Sequence, residues 1–235
     1  WSGGYYNLKE IDYSRKNIRH FPGLNGITAI IEKDPTHMWI GTSTGLYLLE
    51  KATGKYTYIQ MPVESYYIYS LCQASDGMLY IGTNNAGLLV YDTTKNTFRH
   101  YHRDNCALIS NNIYTLLSDG KGNIFLSTEH GLSTFYPVEE TFHNWTKEQG
   151  LKSDHFNAAS GTLRKNGNFI FGSTDGAIEF NKDMILPRDY KFKMVFSDLR
   201  VFYQTVYPKD EGSPLILDID ETKTLRLKHR SEEHR

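Results

Sequence analysis

Along the chain, short apolar stretches that alternate with period two are separated by polar turns rich in Asp, Asn and Gly. Four of these stretches superimpose. Ile27–Ile31 leads to Met38–Thr42 (MWIGT), Ile68–Cys72 to Leu79–Thr83 (LYIGT), Ile113–Leu117 to Ile124–Thr128 (IFLST), and Phe156–Ser160 to Phe169–Ser173 (FIFGS). The offset is 12 residues for Ile27 to Trp39, Ile68 to Tyr80 and Ile113 to Phe125, and 14 for Phe156 to Ile170. A glycine recurs in the second stretch at Gly41, Gly82 and Gly172, with Ser127 in its place once.

Each unit reads as four short strands. The first carries a small residue at one equivalent position (Ala29, Ser70, Thr115, Ala158), which suits an innermost strand where space is scarce. Turn sequences follow at Asp34-Pro35, Asp76-Gly77, Gly120–Gly122 and Asn166-Gly167. After the aromatic-bearing second strand, Gly45, Gly87, Gly131 and Gly176 mark positions that require positive φ. Third strands are predicted at Leu46–Leu49, Leu88–Tyr91, Leu132–Phe135 and Ala177–Phe180, and more polar outer strands at Tyr56–Ile59, Phe98–Tyr101 and Phe142–Trp145.

A period of 41 to 45 residues with four strands per unit is the signature of an all-β propeller rather than of a helical solenoid. The Gly-His and Trp-Asp dipeptides of WD40 repeats are missing from these units. The blades fall at about 25–62, 66–103, 111–150 and 154–185, counted as four complete blades although the last shows no obvious outer strand. Trp1-Ser2-Gly3 matches Trp39–Gly41, so residues 1–24 are the end of a further blade, with strands at Tyr5–Leu8 and Ile18–Phe21. The propeller portion spans 1–186. Residues 187–235 then hold a linker and new strands within Lys191–Phe202 and Leu215–Leu227, too few for a sandwich.

Composition narrows the function. With 26 basic and 27 acidic residues and no basic stripe, direct nucleic-acid binding is disfavoured. No apolar run approaches a membrane span. The chain opens inside the repeat, so the absence of a leader says nothing about export. Two cysteines, Cys72 and Cys106, make no disulfide framework, and Cys72 reads as a small buried thiol.

The pattern of aliphatic inner strand, Asp/Gly turn, Trp-Ile-Gly-Thr, Gly-Leu and aromatic outer strand resembles the two-component-regulator propeller repeat, most closely at Met38–Leu46 and Leu79–Leu88. Asp154–Asn157 with Asn168–Phe180 resembles the final blade of such arrays. Tyr190–Tyr207 is similar to the opening of the immunoglobulin-like module that usually follows. The resemblance implies the periplasmic sensor region of a membrane-bound hybrid two-component regulator that detects polysaccharide breakdown products. It also implies a homodimeric receptor, an oligosaccharide ligand, no cofactor, and a membrane helix and histidine kinase elsewhere in the protein.

In a propeller, the loops entering the inner strand and those joining second to third strands share one face, where ligands gather. Candidate ligand contacts there are Tyr66, Tyr67, Asn84, Asn85, Asn111, Asn112, Glu129, His130, Asp154, His155 and Asp175. Amides, carboxylates and aromatic faces suit sugar hydroxyls and the apolar faces of pyranose rings. The same polar residues are also ordinary turn formers. Trp39, Tyr80, Phe125 and Ile170, with Gly41, Gly82 and Gly172, are structural repeat positions. His100, His102, Asp104 and Cys106 are potential metal donors, but their spacing fits no structural zinc pattern. No Gly-x-Ser-x-Gly elbow is present, and adjacent pairs such as Glu139-Glu140 point to opposite faces of a strand. The residues therefore favour a binding module over an enzyme. A propeller that only associates with protein, or one that acts on glycans, are the alternatives.

Overall fold

The computed structural model describes residues 1–181 except 13 and 64–66, and residues 198–225 except 202, 209, 212, 220 and 223. The chain divides into two compact units, Trp1–Pro187 and Arg188–Arg235.

The first unit is a series of antiparallel sheets, each built from consecutive strands. The N-terminal partial blade holds β1 (Ser2–Gly3), β2 (Tyr6–Asp12) and β3 (Asn17–Asn25). The first full blade is β4 (Ile27–Asp34), β5 (His37–Thr42), β6 (Gly45–Glu50) and β7 (Tyr56–Ile59). The second is β8 (Ile68–Gln73), β9 (Leu79–Thr83), β10 (Leu88–Asp92) and β11 (Thr97–Tyr101). The third is β12 (Ile113–Ser118), β13 (Ile124–Thr128), β14 (Gly131–Tyr136) and β15 (Thr141–Trp145). In the fourth, β16 (Phe156–Leu163), β17 (Asn168–Ser173) and β18 (Gly176–Asn181) make a three-stranded sheet among the described residues, where a complete blade was expected. Residues 182–197, which follow β18, lie outside those described. Helix is confined, among the described residues, to one 3-10 turn at Lys147–Gln149. The fold is an all-β array of propeller blades.

Successive blades pack face to face, and each junction has its own apolar cluster. Leu8, Phe21 and Leu24 of the partial blade meet Met38 and Ile40 of β5. The opposite face of β5 presents Trp39 to Ile68, Leu79 and Ile81 of the second blade. Tyr80 and Val90 then meet Ile113, Ile124 and Leu126. Phe125 meets Phe156, Phe169 and Phe171. Alternate residues of β5, β9 and β13 thus serve two neighbours, which is why these strands read as continuous apolar runs. Each side chain fully buried this way contributes about 1.5–3 kcal/mol.

Close approach explains the recurrent glycine. A Cβ at Gly41 would lie 2.8 Å from Ile68 Cγ2 of the next blade, and one at Gly82 would lie 2.8 Å from Ile113 Cγ2. Gly3 of the partial blade meets Ile27 in the same way, at 2.5 Å.

Two expectations change in the fourth blade. Ile170 holds the register position of Trp39 but is only half-buried. It faces away from the third blade, and no further blade packs there among the described residues. The small residue facing the glycine is Ser160 and not Ala158, since a Cβ on Gly172 would meet Ser160 Cβ at 2.9 Å. The inner strand slips between Phe156 and Gly161, and the inserted residues account for the longer 14-residue offset.

In the second unit, the described strands are β19 (Arg200–Val201) and β20 (Gln204–Thr205), a two-stranded hairpin. The start of the expected strand within Lys191–Phe202 lies outside the described residues. Between Leu215 and Leu227 a strand was expected, but the described residues form turns, with Glu221 N and Thr222 N both donating to Asp218 O. Among the described residues, no helix is long and apolar enough to cross a membrane.

Candidate functional site

The hydroxyl that ends each second strand builds the loop face. Thr42 Oγ1 donates to Gly45 O at 2.9 Å, Thr83 Oγ1 to Gly87 O at 2.7 Å, Thr128 Oγ1 to Gly131 O at 2.9 Å, and Ser173 Oγ to Gly176 O at 2.7 Å. The same oxygens accept from the backbone N–H groups of Thr44, Ala86, His130 and Asp175. Each turn is thereby closed by its own hydroxyl, and the glycine that follows has positive φ in all four blades. Backbone bonds then tie this turn to the loop entering the inner strand: Ser43 N to Gly26 O, Asn84 N to Tyr67 O, and Thr174 N to His155 O. Both sets of loops therefore lie on one face.

Several nominated side chains are committed to holding that face together. Asn112 Oδ1 accepts from Asn85 N at 2.7 Å, bridging the second and third blades. Asn111 Oδ1 accepts from Arg103 N at 2.9 Å, and Asp154 Oδ1 from Lys147 N at 2.6 Å. Asn85 occupies left-handed backbone at φ 64°. These are turn and cap roles. Asp175 lies in the last of the hydroxyl turns, and Tyr66 lies outside the described residues.

Glu129, His130 and His155 come together. Ser110 Oγ donates to Glu129 Oε1 at 3.0 Å. His155 Nδ1 lies 2.8 Å from Glu129 O; a carbonyl only accepts, so this nitrogen carries the proton. His130 Nε2 stands 3.6 Å from Glu129 Oε1, too far for a hydrogen bond.

The sequence reading missed two residues beside this group. The register of each inner strand slips by one residue, between Ile27 and Ala29, Ile68 and Ser70, and Ile113 and Thr115. The extra residues are Thr28, Tyr69 and Tyr114, and a β-bulge re-aims the side chain it carries. Tyr69 and Tyr114 meet edge to face with centroids 5.1 Å apart, and Tyr67 continues the row at 5.0 Å from Tyr69. Burial pushes the Tyr114 phenol up, and the nearby Glu129 charge pushes it further. The Tyr69 phenol is raised by burial first, then by Tyr114, Tyr67 and Glu129. The repeated Ile-Tyr-Ser-Leu and Ile-Tyr-Thr-Leu could have signalled this pair, but strict alternation hides a bulge.

Elsewhere, a groove of about 310 Å³ lies between the third and fourth blades, lined by Trp145, Gln149, Leu151, Lys152, Ile178 and Phe180 among others. It includes none of the nominated residues. His100 Nε2 is spent on Ala86 O and Cys106 Sγ on His102 O, so two of the four potential metal donors noted above are engaged by backbone. No cluster of His, Cys, Asp or Glu among the described residues could hold a metal ion.

Comparison with known proteins places this architecture. The family model described as "Two component regulator propeller" matches residues 62–85. A curated relative, Histidine kinase P4 of Formosa agariphila, is 22% identical over 213 residues, covering 86% of this chain and 15% of that protein. The chain therefore spans about a seventh of that relative's length. Among solved structures, the extracellular domain of a B. thetaiotaomicron protein, described as a one-component system, superposes with a TM-score of 0.64 at 19% identity, over 77% of this chain and 24% of that one. A second structure of that domain describes it as a hybrid two-component system. PorZ, a surface component of the type-IX secretion system of Porphyromonas gingivalis, superposes with a TM-score of 0.60 at 13% identity, over 76% of this chain and 30% of that one. These structural likenesses establish the fold. The repeat and the blades agree with these likenesses, and residues 62–85 are the segment that matches the two-component-regulator propeller model.

Proposed function

We propose that this chain is the ligand-sensing part of an extracytoplasmic, periplasmic two-component receptor, and that its loop face binds a polysaccharide breakdown product. The observation that carries this reading is the row of Tyr67, Tyr69 and Tyr114 beside Glu129. The half-buried rings of Tyr69 and Tyr114, with the exposed ring of Tyr67, give a pyranose an apolar platform, and a carboxylate held by Ser110 accepts from its hydroxyls. The likeness to the extracellular domain of a one-component system and to a histidine kinase supports the receptor setting. A non-enzymatic role is supported by a site with one carboxylate in place of the facing pair of a glycosidase, and with His155 Nδ1–H spent on Glu129 O. Homodimerisation belongs to the same proposal, since a sensor must couple binding to two states of the whole receptor.

The test is calorimetric titration of the chain with a panel of oligosaccharides, repeated with Tyr69→Ala and Tyr114→Ala. At least tenfold weaker binding is expected at an unchanged melting temperature, because truncating a central aromatic contact costs about 2 kcal/mol or more. Normal binding by both variants would overturn the loop-face site and favour a propeller devoted to protein association.

A further inference from the structure

The loop-face site combines three phenol rings with a single anchored carboxylate. Glu129 Oε1 is held by Ser110, while Oε2 accepts no hydrogen bond among the described residues. Ile113 pairs with Thr128, which sets the next residues of the two segments, Tyr114 and Glu129, close together, and the Tyr69 ring lies 5.1 Å from that of Tyr114. Two further acidic residues, Asp154 and Asp175, lie on the same loop face. With the His155 Nδ1 proton spent on Glu129 O and His130 Nε2 3.6 Å from Glu129 Oε1, these carboxylates favour a cationic sugar over a carboxylated or sulfated one. Tyrosine faces attract cations through their quadrupole, and a carboxylate beside them completes the complement for an ammonium group.

We infer that the site takes a sugar bearing a protonated amine, with the ring on Tyr69 and Tyr114 and the ammonium group at Glu129. This rests on the loop-face sugar site proposed above. It adds the charge class of the ligand. A neutral acetamido sugar would leave Oε2 without a donor of matching charge. A uronate would set a carboxylate against Glu129.

Calorimetric titration of the chain with length-matched oligomers of glucosamine, N-acetylglucosamine and galacturonic acid tests the inference. The glucosamine oligomer should bind at least tenfold more tightly than the acetylated one, and the uronate should not bind. Glu129→Gln, which keeps the shape, should abolish the preference at an unchanged melting temperature. If that variant unfolds, a salt titration of the unaltered chain decides: the preference must shrink between low and high ionic strength. Equal binding of amine and acetamide, tighter binding of the uronate, or a preference that survives both Glu129→Gln and high salt would overturn the amine assignment. In those cases a loss of binding in Tyr69→Ala would leave the sugar site itself standing. Binding of none of the three oligomers would overturn the amine assignment, and unchanged binding of a panel sugar by Tyr69→Ala and Tyr114→Ala would remove the site.

Discussion

The rings of Tyr69 and Tyr114 meet edge to face at 5.1 Å although they come from the inner strands of different blades. Each is the extra residue of a bulge that recurs at the same place in three blades. A feature that gives each inner strand its local twist thus also turns a side chain out of the sheet. Two neighbouring blades that both carry tyrosine there make an aromatic surface that neither makes alone.

The blade junctions set the first prediction. Trp39 is 2% exposed between two blades, whereas Ile170 at the matching register position is half-buried. Trp39→Ala should cost about 3–5 kcal/mol in reversible denaturant unfolding. Ile170→Ala should cost clearly less. Equal losses would contradict the packing.

Glycine in the second strand should resist enlargement. A methyl group at Gly41 or Gly82 would press on Ile68 or Ile113 at 2.8 Å. Gly41→Ala and Gly82→Ala should each destabilise by about 1–3 kcal/mol through overpacking. A rise in melting temperature for either would refute the close approach.

Asn112 tests the division between scaffold and site. Its Oδ1 holds the Asn85 N–H at 2.7 Å across a blade junction. Asn112→Ala should lower stability by about 1 kcal/mol, the usual net value of one hydrogen bond. Its effect on sugar affinity should be smaller than that of Tyr114→Ala. The reverse order, measured by unfolding and by calorimetry, would return Asn112 to the site.

Cys72 links stability to alkaline pH. Burial pushes its thiol up to about 11, from an ordinary value near 9. Because the folded value is the higher one, the contribution is fully present below the unfolded value and is lost as pH rises towards 11. Unfolding free energy should therefore fall between roughly pH 9 and 11, and less so in Cys72→Ala. At neutral pH the half-buried native thiol should react slowly with alkylating reagents, because its raised value leaves little thiolate. Rapid labelling of Cys72 in the folded chain would show that its thiol is not held protonated.

Local chemistry was sufficient to read the blades from sequence. The repeated Gly-Thr, the Asp-Gly turns and the period-two strands act over a few residues, and each repeat states them again. The glycines at positive φ, the second strands and the loop face all follow from that local code. What needed the tertiary structure was every relation between blades. The clash that forbids a Cβ at Gly41 comes from Ile68 in another sheet. The half-exposure of Ile170 depends on what packs against its face, which its own strand does not state. The turn roles of Asn111, Asn112 and Asp154 rest on backbone groups 7 to 27 residues away. The tyrosine pair was hidden for a related reason. Alternation assigns each residue to a face, but a one-residue bulge reverses that assignment, and only the pairing register reveals where the extra residue sits.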